Sequence, residues 1–568
     1  MSDASPRHGI TAVREFAGRD ELEDDLLASV RGEVQFDRGT RAMYATDASN
    51  YRQVPIGVVF PQDADDVMAA VEAARRHGAP LLGRGGGTSL AGQCCNAALV
   101  LDMSRHMNGI LELDLVAKRA RVQPGVILDS LRDAAEVHGL TFGPDPATHD
   151  RCTLGGMIGN NSCGVHSIMS GKTDANIESL EILTYDGIRM HVGPTSDEEL
   201  ASIIAAGGRR GEIYAAMRSI RDRYGDLIRE RFPKIPRNVS GYNLEQLLPE
   251  NGFNVARALV GTESTCAVTL EAMTILIPSP PERVLVVVGY EDVFVAADAV
   301  PEIMEFGPIG LEGIDDNLIR AMTRKNLYPE AIELLPEGRG WLLVEFGGWS
   351  REEAVEKASL LTAKLDRKRK NRPSWKMFED PSLAKVVWKT RESALGATAI
   401  VPGQPHSWEG WEDAAVPPAK LGHYLRQLHT LMDDYGYRTN LYGHFGEGCV
   451  HTRINFDFES SPGVQNFRSF VQRAAELVVS LGGSLSGEHG DGQARGELLP
   501  IMFGEELIEA FREFKRAWDP DWKMNPGKVV DPFKLDEDLR LGADYNPPRP
   551  DVRFAYEEDG GDFAHATL

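Results

Sequence analysis

The feature that most constrains this chain is a glycine-rich stretch at residues 482–492, in which Glu488 and His489 stand side by side. A second glycine-rich stretch upstream carries His444 and His451. The glycines of this second stretch argue against a helix, and residues seven apart fall on opposite faces of one straight strand. The two histidines therefore converge only if the chain bends between them, which the intervening glycines allow.

These four side chains match the requirements of a metal site with an adjacent base. His444, His451 and Glu488 supply nitrogen and carboxylate ligands from three points, and three protein ligands leave a position open for a substrate. His489 remains as the base, because an imidazole with an unperturbed pKa of about 6.5 can accept a proton at neutral pH. The alternative is a pair of hydrogen-bonded structural histidines.

A third glycine-rich loop, at residues 84–89, follows a short predicted strand much earlier in the chain. Its consecutive glycines can bring backbone N–H groups close to a pyrophosphate, and Thr88 and Ser89 add hydroxyl donors. The alternative is an ordinary flexible turn. The loop lacks the GxGxxG order of nicotinamide-dinucleotide sites. An ATP-binding P-loop ending at 171–173 is also excluded, because His166 occupies the position of its first glycine.

Residues 153–164 combine backbone donors and small side chains with three apolar residues, Leu154, Met157 and Ile158. Such a segment can lie flat against a planar ring system, and the alternative is a disordered insert. The surrounding region, 152–171, has too little apolar periodicity for a long helix, so we expect a loop there. A site for a phosphate-bearing cofactor, together with a metal and a base, indicates an oxidoreductase.

The composition narrows the class of protein further. The chain has 568 residues and a formal net charge of -24, which disfavours nucleic acid as a partner and suits a soluble protein. Its six cysteines include no CxxC pair, which argues against an iron–sulfur cluster within this chain and favours a reducing compartment. No stretch resembles a signal peptide or a membrane span. We expect a cytoplasmic location, with peripheral attachment to the inner membrane left open.

Strand and helix patterns alternate along most of the chain and predict two main lobes. Asp63 is predicted to cap a helix that ends at Gly78, between short strands on either side. Closely spaced prolines near residue 280 end the first lobe. The predicted divisions are a polar, partly helical lead-in at 1–35, domains at 36–280 and 281–532, and an acidic tail or linker at 533–568.

Four motifs, taken in order, resemble the FAD-linked oxidoreductases with the vanillyl-alcohol-oxidase fold. They are Arg84-Gly85-Gly86-Gly87-Thr88-Ser89, Pro144-Asp145-Pro146, Thr153-Leu154-Gly155-Gly156 and Gly261-Thr262-Glu263-Ser264-Thr265. The stretch 524–528 resembles the closing motif of that superfamily's linked-oxidase C-terminal domain. The resemblance covers about residues 40–532. It implies an α+β fold with a two-subdomain FAD-binding domain followed by an α/β linked-oxidase domain.

The resemblance also implies a non-covalent FAD and its contacts. The loop at 84–89 is expected near the pyrophosphate, residues 144–145 and 153–164 near the flavin and ribityl chain, and residues 261–263 near the adenosine end. The implied cofactor-binding residues are Arg84, Gly85, Gly86, Gly87, Thr88, Ser89, Gly92, Gln93, Pro144, Asp145, Thr153, Gly155, Gly156, Gly159, Asn160, Ser162, Gly164, Gly261, Thr262, Glu263 and Asn525.

The two histidine-bearing motifs resemble those of the metal-dependent 2-hydroxy acid dehydrogenases of this superfamily. That likeness implies His444, His451 and Glu488 as ligands of a divalent metal, with zinc as the first choice, and His489 as the catalytic base.

The substrate end carries both a likeness and a departure. Arg391 lies where the family carries a substrate-binding arginine, and a guanidinium suits bidentate binding of a carboxylate. The alternative for Arg391 is a surface salt bridge. Compared with the stand-alone D-2-hydroxyglutarate dehydrogenases, Trp411 aligns with a substrate-binding lysine and Leu395 with a threonine. The distal carboxylate of a diacid is therefore held differently, or the substrate differs.

Residues 410–417 and 558–563 look closer to a longer bacterial type, in which the FAD module is fused to an iron–sulfur domain. This likeness implies oxidation of a D-2-hydroxy acid by hydride transfer to flavin, with D-2-hydroxyglutarate as the first substrate and D-lactate as the second. The electron acceptor is then that iron–sulfur domain, a separate carrier or a quinone, and homo-oligomerisation is left open. The alternatives are an enzyme resembling alkylglycerone-phosphate synthase, which performs no net oxidation, and a flavin-binding module with a structural metal motif.

Overall fold

The computed structural model describes residues 16–561, except 370, 371, 544, 546–552 and 560. The first part of the predicted lead-in and most of the predicted acidic tail lie outside the described residues. Within the described chain, helices and strands build three main sheets, in agreement with the predicted α+β class.

The first sheet is formed by short apolar strands within residues 16–102. Its elements are α1 (Arg19–Ser29), β1 (Glu33–Gln35), α2 (Arg38–Met43), β2 (Gly57–Phe60), α3 (Ala64–His77), β3 (Leu81–Arg84) and β4 (Leu99–Asp102). The order is β1-β2-β4-β3, with β2, β4 and β3 parallel and β1 antiparallel at the edge. As predicted, Asp63 caps α3 and Gly78 ends it in the left-handed conformation. Since β3 ends at Arg84, the glycine loop at 84–89 begins at the carboxyl end of the edge strand of the parallel unit.

The second sheet is antiparallel and completes the first lobe. Its elements are β5 (Ile110–Asp114), β6 (Arg119–Val122), α4 (Leu128–Glu136), β7 (Leu140–Thr141), α5 (Leu154–Asn160), α6 (Ser167–Ser170), β8 (Ile177–Leu183), β9 (Arg189–Val192), α7 (Asp197–Ala206), α8 (Gly208–Arg231), α9 (Val255–Leu259), β10 (Val268–Ile275) and β11 (Ile277–Pro278). The order is β5-β6-β10-β8-β9, and β7 pairs separately with β11.

The loop predicted at 152–171 is corrected in part, because the segment contains the short helices α5 and α6. Thr153 begins α5 by accepting the N–H of Gly156 on its hydroxyl oxygen at 3.2 Å. Asn161 ends α5 in the left-handed conformation, with φ of 55°. The three apolar side chains of α5 are buried, which keeps this glycine-rich helix in place without strong helix propensity.

The third sheet carries the second lobe. Its elements are β12 (Glu282–Tyr290), α10 (Val293–Met304), β13 (Gly310–Asp315), α11 (Asp316–Arg324), α12 (Pro329–Leu334), β14 (Gly340–Gly348), α13 (Arg351–Asp366), β15 (Ser374–Phe378), α14 (Pro381–Glu392), α15 (Ala394–Ala399), β16 (Ala414–Ala415), α16 (Leu421–Tyr435), β17 (Thr439–Gly443), β18 (Cys449–Ile454), α17 (Ser461–Ser480) and α18 (Leu499–Trp518). The order is β15-β12-β14-β13-β17-β18-β16 with antiparallel pairing.

Both faces of this third sheet are covered, as alternate residues of β12 demonstrate. Val284, Val286 and Val288 pack in the largest apolar core, with helices such as α10 and α13. Leu285 and Val287 pack on the opposite face, in the core that also contains residues of α11 and α14. Burial on both faces accounts for the continuous apolar run of β12 in the sequence.

The chain after residue 532 returns to the first lobe. Leu535 is buried, and Leu539 forms an antiparallel bridge with Tyr51. The beginning of the predicted tail is therefore packed on the first lobe. In the part of the chain that the structure describes, no helix is both long and apolar enough to cross a membrane.

Candidate active site

A β-hairpin brings the two predicted ligand histidines together. His444 directly follows β17, a single turn at residues 445–447 reverses the chain, and His451 lies on β18 opposite Tyr442. Gly448 permits this reversal by adopting the left-handed conformation, with φ of 76°. The bend predicted from the seven-residue spacing is confirmed, and the two imidazole centroids lie 5.1 Å apart.

The stretch 482–492 crosses this hairpin and places Glu488 at its centre. One carboxylate oxygen, Oε1, lies 3.1 Å from Nε2 of His444 and 3.0 Å from Nε2 of His451. The same oxygen lies 3.4 Å from Nε2 of His489. The structure therefore brings together all four side chains that the sequence selected, at a site where the three candidate ligands are more than nine-tenths buried.

The second nitrogen of each imidazole has its own partner. Nδ1 of His451 lies 2.9 Å from the carbonyl oxygen of Glu412, which can only accept, so this nitrogen carries a proton. Nδ1 of His444 lies 2.7 Å from Oε1 of Glu312, and Nδ1 of His489 lies 3.2 Å from Oε1 of Glu412. Each neutral ring then presents the lone pair of Nε2 toward Glu488, which is the tautomer that a metal ligand needs.

The second oxygen of Glu488 is held by a fully buried arginine. Nη1 of Arg237 donates to Oε2 of Glu488 at 2.8 Å, and Nε donates to Glu447 at 2.7 Å. Burial alone would raise the pKa of Glu488, but His444 and Arg237 lower it well below its ordinary value. Glu488 is therefore an ionised carboxylate with a fixed orientation.

Asp413 fixes the backbone that carries Glu488 and His489. Its Oδ2 accepts the backbone N–H groups of residues 487, 488 and 489 at 3.1, 3.0 and 2.7 Å. Asp413, His451, Glu488 and His489 also form a group whose ligand atoms lie within 4.8 Å of one another. These backbone bonds occupy Oδ2 of Asp413, whereas Nε2 of His444 lies 3.1 Å from Oε1 of Glu488, so we take His444 and not Asp413 as the candidate ligand.

Burial and the surrounding carboxylates act in opposite directions on the pKa values of the histidines, and the balance differs between His489 and His451. Burial lowers the pKa of His489, but Asp413, Glu412 and Glu488 more than offset this effect and raise it to about 10. For His451, burial prevails and the pKa is lowered. Two stacked imidazoles, with centroids 4.9 Å apart, therefore differ in proton affinity.

The histidine cluster opens into a cavity that reaches the glycine loop at 84–89. A neighbouring cavity continues between the first sheet and α5, and both share Gly85, Thr153 and Asn160 as lining residues. The predicted cofactor residues that line one or both cavities are Arg84, Gly85, Gly86, Gly87, Thr88, Ser89, Gln93, Thr153, Gly155, Gly156, Gly159, Asn160, Ser162, Thr262 and Glu263.

The glycines of these walls fit a cofactor that is held by backbone groups. A Cβ on Gly85 would lie 2.0 Å from Oγ1 of Thr153, and a Cβ on Gly155 would lie 2.7 Å from Cβ of Pro124. Gly85 thus lets the loop at 84–89 approach the Thr153 side chain, and Gly155 lets α5 approach Pro124, more closely than a residue with a Cβ would allow. This arrangement and the elongated space suit a dinucleotide with a planar ring system.

Six predicted cofactor residues within the described chain do not line either cavity. Asn525 instead ties two wall segments together, because its side-chain amide donates to the carbonyls of Gln93 and Glu263 at 3.0 and 2.8 Å. Asp145 lies 2.5 Å from Nδ1 of His166 and is buried with it. The six residues are Gly92, Pro144, Asp145, Gly164, Gly261 and Asn525.

Arg391 lies in the cavity wall and is buried, not on the surface. Its Nε donates to Oε2 of Glu312 at 2.7 Å, and its guanidinium lies 5.1 Å from the ring centroid of Tyr442. Since the other oxygen of Glu312 contacts His444, one carboxylate positions both the arginine and a candidate ligand.

The two residues that depart from the family pattern have different surroundings. Leu395 lines the cavity, whereas Trp411 is buried with its Nε1 donating to the Tyr424 hydroxyl at 3.1 Å. Trp411 therefore cannot substitute for a substrate-binding lysine.

The sequence indicated the ligands and the base but missed most of their partners. Glu412 and Asp413 had a signal, since two adjacent acids occur within an otherwise apolar and small-residue stretch. Glu312 and Arg237 had none, because their partners lie 132 and 251 residues away along the chain.

Comparison with known proteins agrees with this two-lobe arrangement. Residues 55–193 match the family described as "FAD binding domain", and residues 279–529 match "FAD linked oxidases, C-terminal domain". A "D-2-hydroxyglutarate dehydrogenase" of Pseudomonas putida is 34% identical over 531 residues, which are 91% of this chain and 52% of that protein. A "D-lactate dehydrogenase" of Archaeoglobus fulgidus is 29% identical, over 83% of this chain and 91% of that protein.

A solved structure supports the fold alone. An "alkyldihydroxyacetonephosphate synthase" superposes with a TM-score of 0.58 and 16% identity, over 92% of this chain and 90% of that one. The chain spans about half the length of the curated D-2-hydroxyglutarate dehydrogenase relatives that it matches. With both family domains in the predicted order, the chain belongs to the FAD-linked oxidases.

Proposed function

We propose that this protein oxidises a D-2-hydroxy acid with FAD as the hydride acceptor, and that the substrate is D-2-hydroxyglutarate, which becomes 2-oxoglutarate. The observation that carries the proposal is the convergence of three imidazole Nε2 atoms on Glu488, in a cavity that continues to the glycine loops. The named relatives act on substrates of this class.

The residues fit a divalent metal at His444, His451 and Glu488, and zinc accepts such a mixed nitrogen and oxygen set. When bound, FAD accepts the hydride from the Cα–H bond, and the cation polarises the hydroxyl group that loses its proton.

His489 is the group that takes this proton. Its Nε2 faces the cluster, while Nδ1 faces Glu412, so a proton gained on Nε2 creates an imidazolium beside a carboxylate. The pKa of His489, raised to about 10 by Asp413, Glu412 and Glu488, corresponds to a ring that is protonated at neutral pH beside these three carboxylates. Glu488 is one of the three, so withdrawing its charge by ligation of a cation reduces the shift and frees the base.

Arg391 orients the substrate by binding its α-carboxylate. Among the described residues, the guanidinium pairs with one carboxylate, that of Glu312 through Nε, which leaves its Nη atoms for a carboxylate at the cavity wall. Glu312 holds the Arg391 guanidinium and His444 at fixed positions relative to each other. The α-carboxylate of the substrate is thereby aligned with its hydroxyl group.

D-lactate is the second candidate substrate, favoured by the dehydrogenase relative of that name. The electrons are proposed to leave through an iron–sulfur domain, a separate carrier or a quinone, in the cytoplasm.

The test is an anaerobic absorption spectrum of the purified, metal-replete chain before and after D-2-hydroxyglutarate is added. Bleaching of the oxidised-flavin band is expected. If D-lactate bleaches the flavin and D-2-hydroxyglutarate does not, D-lactate becomes the first candidate substrate. A flavin that stays oxidised with every 2-hydroxy acid would overturn the proposed reaction.

A further inference from the structure

A second arginine, Arg453, lines the same cavity and has no role in the reaction described above. It lies on β18 two residues after His451, so both side chains project from the same face of the strand, with their Cα atoms about 6 to 7 Å apart. Only 6% of Arg453 is exposed. A buried guanidinium beside the candidate metal ligands requires a reason, because burying a charge is costly unless it is paired.

The pairing of Arg453 is incomplete. One Nη atom contacts the carboxylate of Glu409, and the other donates to the carbonyl oxygen of Ser407 at 2.9 Å. Its Nε is buried without a hydrogen-bond partner in the described part of the chain, and so is Oε2 of Glu409. The pair thus retains one unused donor and one unused acceptor.

The other arginine–glutamate pair in the cavity, Arg391–Glu312, has no unused carboxylate oxygen. Both oxygens of Glu312 are used, one by Arg391 and one by His444. Both guanidiniums nevertheless line the same cavity as Tyr442, and that of Arg391 lies 5.1 Å from the centroid of the Tyr442 ring. The two cations therefore flank one part of the cavity.

Two cations at one substrate cavity match a substrate with two carboxylates. The family positions that would hold the second carboxylate are unavailable, because Trp411 is buried against Tyr424 and Leu395 is apolar. We propose that Arg453 binds the distal carboxylate of the substrate and thereby selects dicarboxylic 2-hydroxy acids over monocarboxylic ones. This inference rests on the proposed function and assigns the specificity of the same site.

Glu409 opposes and positions this contact at the same time. It holds one end of the guanidinium, and its own negative charge weakens the attraction for an incoming carboxylate. Arg453 is therefore neither free nor fully neutralised, and the charged substrate must compete with Glu409 for the remaining donors.

The test compares two substrates of equal carbon number, D-2-hydroxyglutarate and D-2-hydroxyvalerate, with an electron-accepting dye and the FAD-loaded, metal-replete chain. The wild type is expected to prefer the diacid. Arg453→Met is expected to lower the ratio of the two kcat/KM values on the order of 10- to 100-fold, which corresponds to one charge-assisted hydrogen-bonded contact. Arg453→Lys should restore part of the ratio, because it keeps the charge without the fork.

Arg473→Met serves as the matched control, since this arginine pairs with Asp434 at the surface. FAD stoichiometry and the thermal midpoint establish that each variant is folded. Glu409→Gln keeps a polar partner for Arg453 but removes the opposing charge, so the ratio should rise, and this variant tests the inference even if Arg453→Met does not fold.

The outcomes separate the two proposals. If no 2-hydroxy acid reduces the wild-type flavin, the proposed function fails. If the wild type oxidises both acids without preferring the diacid, or if Arg453→Met lowers both kcat/KM values equally, the function stands and the role of Arg453 is overturned. A ratio that falls in Glu409→Gln as far as in Arg453→Met also contradicts the role, because the acid and not the guanidinium would then select the substrate.

Discussion

The two ends of the cavity are built on different physical principles. At the cofactor end, glycines at 85–87 and 155–156 line the cavity, and the missing Cβ atoms of Gly85 and Gly155 let the walls approach Thr153 and Pro124 closely. At the histidine end, recognition depends on charged side chains, each held by a partner from a distant part of the chain. The first end should therefore be sensitive to added volume, and the second to removed charge.

The largest effect is expected at the histidine end, from His489→Ala. Removing the base should slow flavin reduction by D-2-hydroxyglutarate by about 100- to 10,000-fold, the usual contribution of general acid–base catalysis. FAD and metal content should stay near wild type, because His489 is not a proposed ligand. Anaerobic stopped-flow absorbance measures the rate, and elemental analysis measures the metal.

His444→Ala is the companion variant, since it should lose metal and activity together. Unchanged flavin reduction in His489→Ala would remove this residue from the reaction. Full activity in a metal-free His444→Ala protein would show that the reaction needs no metal.

The second-largest effect is expected from Arg237, which neutralises buried carboxylates at the histidine end but takes no part in the proposed reaction. Arg237→Met removes the partner of Glu447 and Glu488 and leaves two buried carboxylates facing each other's charge. Breaking such a buried pair typically destabilises a protein by about 3 to 5 kcal/mol. Urea denaturation should report this loss, and Arg237→Lys should recover part of it. A variant as stable as the wild type would contradict the dependence on charge that distinguishes this end.

The contrast between the two ends also explains what could be predicted from the sequence. Glycine loops and neighbouring ligands are local features, so 84–89, the bend before His451 and the pair Glu488–His489 were all recognisable. The antiparallel order of the third sheet is not local, and that order brings Glu312 on β13 beside the hairpin β17–β18. Helix α5 was missed because its stability comes from a Thr153 cap and tertiary burial and not from propensity.

The third effect lies where the two lobes meet. His166 of the first lobe contacts Asp145 at 2.5 Å and Glu345 on β14 at 2.7 Å, and Arg283 lies 3.2 Å from its Nε2. Burial opposes protonation, but Asp145 and Glu345 raise the pKa of His166 from 6.5 to about 9. Because the folded-state pKa is the higher one, this stabilisation is complete below about pH 6.5 and is lost as the pH rises through 9.

The corresponding measurement is the free energy of unfolding between pH 6 and 10. The wild type should lose up to about 3 kcal/mol more than His166→Gln over this range. Parallel pH profiles for the two proteins would show that the imidazolium does not join the lobes.

The smallest effect tests the cofactor end by adding a single methyl group. In Gly85→Ala the new Cβ would lie 2.0 Å from Oγ1 of Thr153, so Thr153 must move and its cap on α5 weakens. Overpacking of this kind costs about 1 to 3 kcal/mol, and we expect it to appear as a weaker FAD affinity with intact metal content. Fluorescence titration of the apoprotein with FAD measures the affinity.

The control is a double variant. Thr153→Ala should by itself weaken the cap on α5, but combined with Gly85→Ala it provides space for the new methyl group. The double variant should therefore bind FAD better than the sum of the two single effects predicts. Strict additivity would indicate that close backbone packing does not control this end, and the contrast with the charge-dependent histidine end would then fail.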